Sequence, residues 1–301
     1  MESICFTAFD TVVEITADTD DASVLEACRA ACTHYERLLS RFDEQGPLWA
    51  LNHACGRHVA LPQELADFIE EALGYCARSE GCFDITMGSV CRLWDFHESR
   101  VPQAAELAEA LRHVDWRRVH VDGDVAWLGD PCAWIDLGGI AKGYIADRLG
   151  ELLHARGVER AITDLGGNIL TLGSKEGGRP WRIGIRSPRP SAEGSGSFAV
   201  VEVRGKSVVT SGVYERAFEK DGIVYHHVLD PLAGLPVETD LVSATVVSEH
   251  SIDGDGYSTT LLALGSARAL VFARALPGIE AVLLTRDGAV LKTDGLSLEL
   301  L

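Results

Sequence analysis

The sequence predicts an α+β fold with mainly antiparallel sheets packed against helices, and three observations carry that expectation. Helix-patterned and strand-patterned segments come in runs rather than in strict alternation. Two amphipathic helices fall in the first third of the chain, and strand signals dominate from Ala161 to Val247. Of the 301 residues, 47% are hydrophobic and 24% charged, close to the globular average, so the chain can bury a core and is not disordered.

The elements follow in order. Phe9 to Ile15 holds a β-branched run and reads as a strand. From Ser23 to Phe42, Leu25, Cys28, Cys32, Tyr35, Leu39 and Phe42 recur at helical steps. Gly46-Pro47 marks a turn. A second helix starts at Pro62, a favoured first-turn position, and carries Leu65, Phe68, Ile69, Ala72 and Cys76 on one face. A helical stretch over Ala104 to Leu111 precedes short strand signals at Val119 to Val121 and Ala133 to Ile135. Asp136-Leu137-Gly138-Gly139 breaks the pattern, and a helix with Ile145, Leu149, Leu152 and Leu153 follows, ending near Gly157. Further strands are read at 161–163, 181–185, 198–203, 207–210 and 243–247, with a Pro, Ser and Gly-rich surface loop at 188–197. A helix follows Asp255, another covers 266–276, and two closing strands flank the turn Arg286-Asp287-Gly288.

Lys and Arg number 27 against 45 Asp and Glu, a formal charge of −18. That balance argues against duplex nucleic acid or an anionic membrane as the main partner, and an anionic ligand would need a locally positive site or a metal. No window approaches a transmembrane span. The N-terminus lacks a basic and apolar leader, so the chain as given reads as cytoplasmic; a periplasmic or membrane-anchored protein is the reading if a leader has been removed. The eight cysteines form no CxxC pair and read as reduced core residues. Cys28 and Cys32 are one helical turn apart but lie on an apolar stripe with no second pair of ligands.

Four stretches are richer in Gly, Asp and hydroxyls than packing needs: Gly81 to Gly88, Asp136 to Tyr144, Thr210 to Arg216 with His226 to Pro231, and Asp253 to Thr260. In the second, a strand runs through a glycine pair into a helix N-terminus. Free N–H groups there favour an anion and Lys142 adds charge, although a tight turn has the same signature. No GxGxxG or P-loop motif is present. In the third, two histidines ahead of an Asp-Pro turn fit a general base with an orienting carboxylate, or a surface pair beside a turn. In the fourth, a helix starting at Asp255 puts its carboxylate and the Thr259 hydroxyl on one face. All-oxygen donors suit Mg²⁺; helix-capping residues are the other reading.

Taken together and in order, these stretches resemble the ApbE-type family of FAD:protein FMN transferases. The residues that carry the likeness are Gly81 to Thr86, Asp136 to Asp147, Leu165-Gly166-Gly167-Asn168, Thr210 to Arg216, His227 to Gly234 and Gly254 to Thr259, within a span from about Phe9 to Gly265. The resemblance implies an ApbE-like, T-fold-related architecture: a single domain over 1–301 with two lobes around a central FAD cleft.

It also implies roles. Asp255 and Thr259 look like the side-chain ligands of Mg²⁺, with Ser258 assisting and Gly139 completing the site through an oxygen. Trp49, Cys82, Phe83, Asp84, Asp136, Lys142 and Val228 fall where relatives line the FAD site, and Phe9 stands where many have Met. His227 matches the histidine that acts as base or steadies the transferred phosphate. The implied reaction is Mg²⁺-dependent transfer of FMN from FAD to a Ser or Thr hydroxyl of an acceptor flavoprotein, releasing AMP. The alternatives are an FAD-binding protein without turnover and an FAD pyrophosphatase giving FMN and AMP. Gly254 and Gly256 stand where the family usually has Ala, Ala233 replaces a Thr, and Val213 replaces Asp or Ser.

Overall fold

The computed structural model describes residues 1–188 and 196–301, so most of the loop read at 188–197 lies outside the described residues. Along the chain the elements are β1 (Glu2–Ala8), β2 (Thr11–Ala17), α1 (Ala22–Leu38), α2 (Pro47–Asn52), β3 (Val59–Ala60), α3 (Gln63–Arg78), α4 (Gly88–Cys91) and α5 (Ala104–Leu111). They continue with β4 (Val119–Asp122), β5 (Val125–Leu128), α6 (Ala141–Ala155), β6 (Ala161–Leu165), β7 (Asn168–Leu172), β8 (Trp181–Arg186) and β9 (Ser197–Val203). The remainder are β10 (Ser207–Gly212), β11 (Ala217–Lys220), β12 (Ile223–His226), β13 (Leu241–Ser248), α7 (Ser251–Ala275), β14 (Glu280–Thr285), β15 (Val290–Lys292) and β16 (Leu298–Leu300). Every pairing between these strands is antiparallel, in keeping with an α+β fold.

The chain divides into two compact units, each assembled from separated stretches. The first comprises Met1–Tyr35, Ile140–Gly212 and Thr239–Leu301; the second comprises Glu36–Gly139 and Val213–Glu238.

The first unit is built on an eight-stranded sheet of order β1-β2-β6-β7-β10-β13-β14-β15. Helix α7 lies across β13, β10, β14 and β7, and α6 packs on α7 and on β6 and β7. A smaller sheet, β16-β9-β8, contributes Trp181, Ile183, Ile185, Ala199, Val201 and Val203 to a core shared with Val208, Val247 and Val282. Two hairpin turns set the registers that matter for the site. Phe9 and Asp10 both have positive φ (53° and 57°) and close β1 onto β2 with Ala8 opposite Thr11. Gly166 and Gly167 (φ 66° and 92°) close β6 onto β7, and a side chain at 166 would overlap Thr11.

The second unit holds α3, whose Leu65, Phe68, Ile69, Ala72 and Cys76 are all buried as the periodicity predicts. Beside it are the sheet β3-β5-β4, the hairpin β11-β12, and a cluster of Met87, Val90, Trp94, Leu107 and Ala110 that Phe218 and Tyr225 of the hairpin pack against.

Four local readings change. Phe9 and Asp10 are turn residues, not the start of a strand. Helix α1 ends at Leu38, short of Phe42, where the Ser40 hydroxyl accepts the N–H groups of Phe42 and Asp43 and shapes a turn. Residues 133–135 pair only through a Met87–Trp134 bridge. Their backbone groups are taken by side chains: Trp134 N–H by Ser89 Oγ (2.9 Å), Ile135 N–H by Asn52 Oδ1 (2.8 Å), and Ile135 C=O by Asn52 Nδ2 (2.9 Å). Finally, α7 begins at Ser251 rather than Asp255; Gly265 (φ 73°, ψ 164°) breaks it into two helices, the second from Ser266 as read. Asp240 accepts the Ser266 N–H (2.8 Å) and caps the second half from outside.

Candidate active site

In the first unit the starts of α6 and α7 cap each other. Helix α7 has His250 at its N-cap position with no capping side chain. Its first donors, the N–H groups of Ser251 and Ile252, go to Asp147 Oδ1 (2.7 Å) and Oδ2 (2.9 Å), nearly two turns into α6. In return, the Gly143 N–H at the start of α6 donates to Asp255 Oδ2 (2.6 Å), one turn into α7. The helices approach closely enough that a Cβ at Gly143 would lie 2.5 Å from Ser251 O. Burial pushes the Asp147 carboxyl up to about 6, although both N–H bonds, His250 and Arg148 oppose it.

Asp255 is buried, and its second oxygen, Oδ1, accepts from Asn168 Nδ2 (3.1 Å). The Asn168 amide is oriented by Ser251 Oγ, which donates to Asn168 Oδ1 (2.7 Å). Asn168 is the first residue of β7, so the Gly166-Gly167 turn fixes which way it faces. Burial raises the pKa of Asp255, opposed by the Lys142 charge and by the bonds from Gly143 and Asn168. Each carboxylate oxygen has spent one lone pair and keeps another.

Strand β10 meets α7 through alternate residues. Ser207 Oγ lies 2.9 Å from Ser251 Oγ, Val209 packs where Gly254 has no side chain, and Ser211 Oγ lies 2.8 Å from Ser258 Oγ and 3.2 Å from Thr259 Oγ1. The match is geometric: two residues of strand and three to four residues of helix both advance about 5–7 Å. A Cβ at 254 would lie 2.4 Å from Val209 Cγ2, which accounts for Gly at that position. Of the residues singled out from sequence, this unit thus gathers Asp255, Ser258, Thr259 and Lys142, and holds Phe9 in the β1–β2 turn. The oxygen-only donors of Asp255, Ser258 and Thr259 fit Mg²⁺. The α6 N-terminus is partly spent on a protein carboxylate, since the Gly143 N–H already holds Asp255.

The other candidates lie in the second unit. Asp84 Oδ1 accepts from Thr86 N–H (2.8 Å) and Thr86 Oγ1 (2.6 Å), and Oδ2 from Trp116 N–H (3.3 Å). Burial raises its pKa against those bonds. Phe83 is buried, and its ring edge stands 3.2 Å from the place a Cβ would take at Gly139. Cys82 precedes it and is half-buried. Asp136 pairs with Arg41 (3.2 Å) and accepts the Gly138 N–H (2.8 Å), which shapes the loop that ends at exposed Gly139. Trp49 stacks on His53 at 3.7 Å between ring centres, and His53 meets Trp134 edge-on. His227, half-buried, follows β12, and its N–H donates to Arg216 O (3.0 Å). Val228 is buried, and its C=O accepts the Val237 N–H. The Asp230 carboxylate accepts from Leu232 N–H (2.9 Å) and so orders the Asp-Pro turn.

Among the described residues, one group of mixed donors also stands close together: His113, Asp130 and Cys132, within 4.8 Å of one another. Asp130 Oδ2 is already held by His113 (2.9 Å) and Arg118 (3.0 Å), so the group satisfies itself as an ion-paired knot. Burial works against that carboxylate, but His113, the Cys132 N–H and Arg118 outweigh it and hold its pKa below the usual range. No helix among the described residues is long and apolar enough to cross a membrane.

Sequence reasoning did not single out Gly143, Asp147, Asn168 or Ser211. All four lie inside the motifs quoted above, but their partners are far along the chain: 112 residues for Gly143 and Asp255, 87 for Asn168 and Asp255, 47 for Ser211 and Ser258.

The comparisons with known proteins bear on the whole of this arrangement. The chain is 35% identical over 292 residues to an FAD:protein FMN transferase of Treponema pallidum, covering 91% of this chain and 80% of that one. It is 36% identical over 258 residues to an FAD:protein FMN transferase of Klebsiella pneumoniae, covering 84% and 79%. The crystal structure of the ApbE protein of Thermotoga maritima superposes with a TM-score of 0.89 at 27% identity, covering 97% of both chains. The sequence pattern of the ApbE family matches residues 9–283, taking in both units and every motif described, and the chain therefore belongs to the ApbE family.

Proposed function

We propose that this protein is an FAD:protein FMN transferase. It moves FMN from FAD to a Ser or Thr hydroxyl of an acceptor flavoprotein and releases AMP. The observation that carries the reading is family membership together with the retained oxygen cluster of Asp255, Ser258 and Thr259 on α7. Relatives named for this activity match over most of the chain.

Asp255 and Thr259 would hold Mg²⁺, with Ser258 beside them on the same helix. The ion supplies charge neutralisation on the FAD pyrophosphate. Lys142 adds fixed positive charge. In the second unit, half-buried Trp49 offers aromatic surface for flavin or adenine, and buried Phe83 and Val228 act by packing the loops that carry them. In the first unit, Phe9 shapes the β1–β2 turn. Asp84, held by Thr86 and Trp116, and Asp136, held by Arg41 and Gly138, act by shaping the backbone around Cys82, Phe83 and Gly139. His227 takes the proton of the acceptor hydroxyl at an imidazole nitrogen as that oxygen bonds to the FMN phosphorus. The phosphoanhydride bond then breaks and AMP carries away the bridging oxygen. The chain works as one transferase domain over 1–301.

Incubation with FAD, Mg²⁺ and a flavin-accepting domain, followed by intact mass and an AMP assay, tests the reading. FMN-sized mass gain on the acceptor with matching AMP supports it. AMP without labelling identifies a pyrophosphatase, and neither product identifies a flavin-binding protein. Asp255→Ala should abolish metal-dependent AMP release; unchanged release rejects the cation role of Asp255.

A further inference from the structure

We infer that Ser211 is a positioning residue for the cation site, receiving the hydroxyl proton of Thr259 so that both Thr259 lone pairs are free to face a metal. The inference rests on the cation reading above and adds to it a direction of hydrogen bonding. A neutral hydroxyl binds a cation through oxygen, so its proton has to be accepted elsewhere. Ser258 Oγ lies 3.4 Å from the Asp255 backbone C=O one turn back, and the relay assigns the only Ser258 proton to that acceptor. The contact between Ser211 and Ser258 (2.8 Å) is then satisfied by Ser211 donating. With its proton spent, Ser211 faces Thr259 Oγ1 at 3.2 Å as an acceptor. Protons thus run one way: Thr259 to Ser211, Ser211 to Ser258, Ser258 to the helix carbonyl.

The relay is pinned at its strand end. Ser211 stands opposite Ala244 in the β10–β13 ladder, so its height above the sheet is set by backbone pairing. The same strand meets α7 at Ser207 and Val209, which fixes the register between Ser211 and Thr259. Asp255 is oriented separately by Gly143 and Asn168, so the two ligands of the proposed ion are each held by partners that do not touch it.

The test is a Mn²⁺ titration followed by EPR, with ADP supplied as a pyrophosphate that carries no flavin. Ser211→Ala should weaken Mn²⁺ binding about 10-fold or more, while melting without metal stays close to wild type. Ser211→Thr, which restores the hydroxyl, should recover most of the affinity. Ser258→Ala removes the acceptor of the Ser211 proton and should give a smaller loss. Wild-type affinity in Ser211→Ala overturns the inference, as does weak binding in Ser211→Thr when it melts like wild type. If Ser211→Ala does not fold, Ser211→Thr and Ser258→Ala decide: wild-type affinity in Ser258→Ala then counts against the relay. Failure of the cation reading looks different: the wild-type protein binds no Mn²⁺, or Asp255→Ala binds it as well as wild type.

Discussion

The Gly143 N–H donates to Asp255 across 2.6 Å, and the same glycine is where α6 comes within van der Waals reach of Ser251. One residue therefore sets both the helix contact and the carboxylate. Gly143→Ala drives a methyl against backbone and should cost about 1–3 kcal/mol. Urea unfolding checks this, and an unchanged midpoint would mean the helices part without cost.

Gly254 and Val209 form a matched pair, with no side chain on α7 where the strand carries a β-branched one. Gly254→Ala should destabilise by about 1–3 kcal/mol, since Val cannot swing its methyls away. Adding Val209→Ala opens the space the new methyl needs. The double variant should be more stable than the sum of the two single losses predicts; simple additivity in a double-mutant cycle would contradict the pairing.

The Asp147 carboxyl, with a pKa of about 6 in the fold, binds its proton more tightly there than in the unfolded chain, where the usual value is near 3.9. Between those values the folded state holds more protons, so stability falls as pH rises through the window, by at most about 3 kcal/mol. Asp147→Asn cannot titrate. The wild-type minus variant difference should slope down from about pH 4 to 6 and level off above. Parallel profiles would show that Asp147 ionises as in the unfolded chain.

Cys28 and Cys76 are fully buried, and burial pushes their thiols up to about 11 and about 12. Cys5, Cys55 and Cys132 are exposed. Brief alkylation of the native protein should label the exposed three and spare the buried pair, which react only on unfolding. Peptide mapping reads this directly, and early label on Cys28 or Cys76 would argue against their packing.

The helices were the most legible part of the sequence, because one apolar face at regular spacing identifies them. Residues of α3 and the span of α5 follow that rule. Strand β12 escaped because Ile223 and Val224 are both exposed, leaving no alternation to read. Residues 133–135 misled in the other direction: they look like a strand, but Asn52 and Ser89 take their hydrogen bonds. At the site, Asp255 and Thr259 were legible because a single helix carries both at i and i+4. Asn168 and Ser211 were not, because their roles depend on which strands flank α7, and nothing local encodes that. Asp147 was hidden for a further reason, since a cap supplied by another helix leaves no trace beside the helix it caps.

Through the two acids, Asp147 and Asp255, each helix locks the beginning of the other. Helix ends ordinarily fray independently, each at its own rate. Here, loosening one helix displaces the carboxylate acceptor that the other's start depends on, so both ends open as one event. The amide protons of Gly143, Ser251 and Ile252 should exchange with solvent in concert. A cation drawn to Asp255 would slow all three, including the two that hang on the acid it never meets.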